Sequence, residues 1–214
     1  MPELSIPPLD PARGLLLDSD AYREDFRATD ARVHGHDSWK LERAQHFEEA
    51  GRPAREALRQ GDWARSLSLL EENRESLARF AEEDRRKESF FHRVRIVEEP
   101  LTPYLQWELH SLRLAAEYGE RVRVVPVDLV RRWEAAGPLP ELVVLGGLAV
   151  YQVRYTPEGV PDGGVRFDDP ALVASWEGFL AGLYGQGEEL GAYFTRAVAP
   201  LPPPVLGGSG HQPS

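Results

Sequence analysis

Polar and apolar positions along the chain change period twice, and the changes divide it. Pro2, Pro7, Pro8 and Pro11 break any early helix. A short helix around 19–29 follows, and His34-Gly35-His36-Asp37 reads as a turn. Helical spacing then dominates. Ser38 is placed to cap a helix over 39–50 that Gly51-Arg52-Pro53 would end, and residues 54–60 add a turn or two before Gly61. Asp62 is a good N-cap for a long helix from Trp63 to about Arg86. Trp63, Leu67, Leu70, Leu77 and Phe80 form its apolar stripe, and Glu75–Arg79 and Glu82–Arg86 are i,i+4 pairs on the other face. A helix so one-sided must lie on something.

At residue 90 the pattern turns to strand. FFHRVRIV is rich in β-branched and aromatic residues. Thr102 is a plausible N-cap and Pro103 suits the first helical position, so a helix is predicted to run to Tyr118, where Gly119 stops it. Its two apolar stripes predict contact on two sides. Arg121–Val125 is the next strand, and the connection is long enough for a right-handed parallel crossover. Residues 127–136 read as a short helix. Leu142–Leu145 and Leu148–Tyr155 read as a hairpin across Gly146-Gly147, with Val165–Phe167 closing a meander. Asp169-Pro170 opens a helix whose core face is Val173, Trp176, Phe179, Leu180, Leu183 and Tyr184, and a last short helix covers 188–198. The fold class expected is α/β (α+β): a mixed sheet with a strand–helix–strand unit and an antiparallel meander, flanked by helices. The predicted divisions are an irregular 1–37, a helical extension over 38–88, an α/β domain over 89–198, and a disordered Pro/Gly/Ser tail over 199–214.

Charge narrows the partners. A formal net charge of −10 disfavours nucleic acid and anionic membranes. The absence of cysteine excludes disulfides, thiolate metal sites and a cysteine nucleophile. No apolar run approaches a membrane span, and the N-terminus has acids and prolines where a signal peptide would be basic and apolar, so the cytoplasm is expected. Arg heavily outnumbers Lys, a bias of high-GC actinobacteria.

Candidate chemistry is sparse. His34, His36 and Asp37 form the one close imidazole pair with a carboxylate, without a third ligand at a sensible spacing; no metal and no cofactor is expected. Glu98 and Glu99 end a strand ahead of a helix, where ligands gather in open α/β sheets. Glu108 and Arg113 sit among aromatic residues. The loop Pro161-Asp162-Gly163-Gly164 fits neither a Walker loop nor a dinucleotide fingerprint, and GxSxG, HExxH and kinase signatures are lacking. Arg95, Glu99, Tyr104, Trp107, Glu108 and, on the following strand, Arg123 are the candidate ligand-binding residues; no catalytic residue is assigned.

RVRIVEEPLTPYLQWEL, placing Arg93, Arg95, Val97, Glu99, Pro100, Tyr104, Trp107 and Glu108, resembles the marker of an uncharacterised actinobacterial family common in Streptomyces and often encoded beside helix-turn-helix regulators. The resemblance covers about residues 39–198. A second, weaker likeness is to half-domains of the phospholipase D-like fold, whose His-x-Lys motif this sequence lacks. The lack of a catalytic constellation or cofactor motif, the acidic composition and that family's genomic habit lead to the expectation of a non-catalytic ligand-sensing or protein-interaction protein working with a transcription regulator or a specialised-metabolism locus, its charged helix 62–86 being the partner surface. Its partners would be a protein or a small molecule, with a homodimer in view. The alternative is a natural-product tailoring enzyme using Glu99 and Glu108 with Arg95 and Tyr104, which requires Glu99, Tyr104 and Glu108 to reach one pocket.

Overall fold

The computed structural model describes residues 5–205. Eight strands join in one mixed sheet: β1 (Leu15–Leu17), β2 (Ser38–Glu42), β3 (Phe91–Val97), β4 (Arg121–Pro126), β5 (Leu142–Leu145), β6 (Ala149–Tyr155), β7 (Pro161–Phe167) and β8 (Glu188–Glu189), in the order β1-β7-β6-β5-β2-β3-β4-β8. β2, β3 and β4 run parallel, and the remaining pairs are antiparallel. The helices are α1 (Ser19–Asp30), α2 (Pro53–Arg59), α3 (Trp63–Glu71), α4 (Arg74–Lys87), α5 (Pro103–Glu117), α6 (Val127–Val130), α7 (Pro170–Tyr184) and α8 (Leu190–Tyr193), the last running into a π turn at Phe194–Val198. The class is the mixed α/β one expected.

Local chemistry accounts for the boundaries. Thr102 accepts the Leu105 N–H, Asp62 that of Arg65 and Asp169 that of Leu172, so each side chain satisfies one helix-start donor. Pro103 and Pro170 begin helices where a missing N–H costs nothing. Gly146 and Gly147 turn the β5–β6 hairpin with φ of 52° and 67°, values a side chain disfavours at two successive positions.

Several expectations are corrected. Residues 38–42 form a strand at the middle of the sheet, between β5 and β3, rather than opening a helix over 39–50. Residues 53–87 are therefore the crossover between two neighbouring parallel strands. The long helix over 63–86 is two, broken at Glu72-Asn73, so that α3 packs beside α5 and α4 turns over the sheet. Residues 1–37, set apart as irregular, hold the edge strand β1 beside α1, the helix expected around 19–29, and the short final helix is preceded by the edge strand β8. Of the predicted disordered tail, residues 206–214 lie outside the described residues; nearer the domain, Gln106 Nε2 donates to Pro202 O at 2.9 Å, holding that stretch on α5.

Alternation along the strands sorts the two faces. The back face carries Leu41, Val94, Ile96, Val125, Leu142, Val144 and Val150, sealed by Val173, Trp176, Phe179, Leu180 and Leu183 of α7. The front face is shared. On one side α5 and the C-terminal helices cover Val97, Val122 and Val124. On the other, α1 packs on Tyr151, Val143 and Leu145. The middle of that face carries Lys40 and Glu42 of β2 and Arg93 and Arg95 of β3, paired in register as Lys40 with Arg93 and Glu42 with Arg95. Burying four charges on one sheet face is costly unless each finds a partner.

Candidate functional site

The β3–α5 unit brings four of the candidate residues together. Tyr104 and Glu108 stand one turn apart on α5 and face Arg95, which has no solvent exposure. Arg95 Nε and Nη2 both lie 2.8 Å from Glu108 Oε2, and Nη1 donates to the carbonyls of Ile96 and Glu42 at 2.9 and 3.2 Å. Tyr104 donates to Glu49 Oε1 at 2.7 Å, with Glu108 Oε1 at 3.2 Å. Burial pushes the Glu108 carboxyl up, against the pull of Arg95. Trp107 closes the cluster against Phe47, Ala54, Leu58 and Leu70. Tyr104, Trp107, Glu108 and Arg95 are all buried, so no reacting atom of this group meets solvent.

The other candidates point elsewhere. Glu99 is exposed and accepts from Tyr193 Oη at 3.2 Å. Arg123 is on the back face, over the ring of Tyr184 and donating to Gly187 O at 3.0 Å. Glu98 pairs with Arg43 and Arg113 with Glu117. Glu99, Tyr104 and Glu108 thus share no pocket, and the carboxylate pair the enzyme reading required does not form.

Beside the sealed group lies an open one. A cavity of about 750 Å³ occupies the front face between α1, α4 and α5, within the range of small-molecule sites. Lys40, Arg93, Phe91, Val143 and Val153 form its floor; Tyr22, Phe26 and Asp30 of α1 form one wall, and Leu77, Phe80, Ala81 and Asp84 of α4 its roof. Glu42 joins the floor cations, at 2.6 Å from Arg93 and 2.7 Å from Lys40, and Arg93 reaches Glu120 at 2.6 Å. Burial alone would raise the Glu42 carboxyl, yet Arg93, Lys40 and Arg95 hold it well below the usual carboxylate range. In the roof the balance is reversed. Burial pushes Asp84 up to about 6, with Lys87 opposing. Burial likewise pushes the Tyr22 phenol up to about 12. The roof is held loosely: within α4 only Ala81 and Lys87 are buried, and Phe80 is 63% exposed.

Sequence reasoning missed Lys40, Arg93 as a cavity residue, and Asp84. The alternation Ser38-Trp39-Lys40-Leu41-Glu42, matched by Arg93-Val94-Arg95, was the usable signal: charges at period two opposite apolar residues in strands covered on both faces. Nothing local distinguishes Asp84 within AEEDRRK.

The back face carries its own polar cluster. His92 stacks on Trp39 at 4.4 Å, with Asp37 Oδ2 at 2.8 Å and Arg121 Nη1 at 3.0 Å from its Nε2. His36 lies 2.7 Å from Glu177 while Asp37 faces His92, so these two members of the His34-His36-Asp37 group are spent on separate contacts. Among the described residues no group of three His, Cys, Asp or Glu side chains is arranged to hold a metal ion, and no helix is long and apolar enough to cross a membrane.

Residues 24–195 match a family described as a domain of unknown function (DUF6879), and the chain belongs to that family. No curated protein matches it significantly, and neither does any solved structure.

Proposed function

We propose that this DUF6879 chain is a non-catalytic receptor for an organic small molecule, which it takes between the sheet and α4 and reports to a protein partner through the outer face of α4. The cavity carries the reading. It is large enough for a metabolite, it has an apolar and aromatic wall with a few charges at defined places, and only two residues of its roof helix, Ala81 and Lys87, are buried. The enzyme alternative loses support because the carboxylates near Arg95 are buried and ion-paired and Glu99 faces away.

Occupancy would be transmitted by ordering. A ligand under Leu77 and Phe80 gives α4 the apolar contacts it lacks, and the exposed acids and bases of its far side, Glu75, Arg79, Glu82 and Arg86, become a fixed surface. A helix-turn-helix regulator is the partner this reading favours, from the genomic habit of the family the sequence resembles. The strongly acidic chain would act on such a regulator rather than on DNA itself.

The test uses Nile red, a neutral dye that fluoresces in apolar sites. It should bind the wild type and fail with Val153→Trp, which fills the cavity floor, and hydrogen exchange across residues 74–87 should slow on binding. Equal dye binding by both proteins, or binding with no change in α4 exchange, would rule the receptor reading out.

A further inference from the structure

We propose that the cavity selects an organic cation with an aromatic or apolar body, held by Asp84 against the rings of Tyr22, Phe26 and Phe91. This rests on the cavity being the ligand site and adds the chemical class of the ligand.

Every cation lining the cavity already has a carboxylate. Lys40 is held by Glu42, Arg93 by Glu42 and Glu120, Lys87 by Asp30 at 2.6 Å and Glu83 at 3.1 Å, and Arg52 by Glu49 at 2.9 Å. Of the carboxylates lining it, Asp30, Glu83 and Glu120 are used in those pairs, whereas Asp84 has neither a side-chain hydrogen bond nor an ion pair among the described residues. The uncompensated charge facing the cavity is therefore negative. An anion entering would meet Asp84 and would have to displace Glu42 or Glu120 from Arg93. A cation would find its partner ready.

Two further observations agree. Asp84 sits in the last turn of α4, where the helix dipole opposes a carboxylate and favours a positive charge. Lys87, the residue that would offset it, is turned to Asp30 and Glu83. Tyr22, Phe26 and Phe91 line the cavity, and aromatic rings of this kind attract an organic cation and offer apolar surface to its body.

The experiment titrates the full chain with two fluorogenic dyes of opposite charge: berberine, a planar aromatic cation that does not titrate, and anilinonaphthalene sulfonate, an aromatic anion. Berberine should bind the wild type more tightly. Asp84→Asn should weaken it about ten-fold, Asp84→Lys should reverse the preference toward the anion, and Asp128→Asn, an exposed carboxylate outside the cavity lining, should change nothing. Wild-type berberine affinity should also fall as the pH drops from 7.5 to 5, because Asp84, pushed up to about 6, becomes neutral there. Lys87 and Glu83 on α4, Asp30 on α1 and Glu120 ahead of β4 are the charged groups facing it, and the pH dependence should vanish in Asp84→Asn. Tighter binding of the anion, or unchanged berberine binding in Asp84→Asn, overturns the inference. Should Nile red enter while berberine does not, the cation selectivity is lost and the receptor reading stands. If Val153→Trp also leaves Nile red binding intact, the receptor reading is lost with it.

Discussion

Arg93 and Arg95 stand two residues apart on β3, on the same face of the same sheet, and meet opposite circumstances. Arg95 lies under α5, at packing distance, with Glu108 and Tyr104 closing over it. Arg93 lies where the crossover helix bridges a gap, at the edge of a 750 Å³ cavity. The difference is set by what roofs each one. α5 buries eight side chains, Tyr104 to Leu114, on both of its flanks, whereas α4 buries two. A charge pair sealed by a well-buried helix is part of the scaffold, where it specifies how α5 sits on β3 without adding much net stability. Beneath the sparsely anchored α4 the floor charges pair among themselves, and the carboxylate left to a ligand is that of Asp84 in the helix itself.

The largest test of this contrast is Glu108→Leu. It strands a fully buried guanidinium and should cost about 3–5 kcal/mol in denaturant unfolding, most of it recovered in the double variant Arg95→Met/Glu108→Leu. If the single variant is nearly neutral, the sealed half is not sealed. Next come two enlargements on the same face. Val124→Trp, under α5, should overpack and cost about 1–3 kcal/mol, while Val153→Trp should stay within about 1 kcal/mol because it grows into open space. Equal losses would erase the distinction between the halves.

Two pH-dependent effects follow. Glu141 accepts the N–H groups of Arg43 and Ala44 at 2.9 and 2.6 Å, and burial, its largest influence, pushes it up to about 7. A folded value raised above the unfolded one means that its contribution is fully present below about pH 4.5 and is lost as pH rises through 7. Glu141→Gln should therefore be more stable than wild type at pH 8 by about 1–2 kcal/mol and no more stable at pH 4. Asp84 has the same sign in a more exposed place. Asp84→Asn should raise stability at pH 8 by less than about 1 kcal/mol, with no gain at pH 4, since solvent screens the carboxylate. A destabilised Asp84→Asn at pH 8 would mean that Asp84 has a partner in the fold after all.

The legible parts of the molecule were those written in adjacent residues. Thr102-Pro103, Asp169-Pro170 and Gly146-Gly147 each encode a boundary in two positions, and the strand–helix–strand unit between β3 and β4 stands where the pattern predicted. β2 was hidden because its front face is charged: Lys40 and Glu42 break the apolar run that marks a central parallel strand, and the five residues alone do not show that Arg93 and Arg95 lie beside them. The break at Glu72-Asn73 was hidden because Leu70 and Leu77 keep helical spacing across it. The site was the least legible part. The motif that carries the family resemblance falls mainly on the sealed pair, which maintains the fold, and gives the cavity only Arg93, while the cavity exists by virtue of a gap between helices far apart in the chain.

The crossover has a consequence for the order of assembly. β2 cannot pair with β3 until α2, α3 and α4 have looped back, and that closure costs entropy before any contact repays it. The meander β5–β6–β7 needs only hairpin turns. Folding is thus expected to nucleate in the C-terminal meander, with β2 inserting late between two strands already made. Destabilising substitutions in β6 should slow refolding, and those in β2 should mainly speed unfolding. The last strand to enter brings Lys40 and Glu42 with it, so the floor of the cavity is completed only as the sheet itself closes.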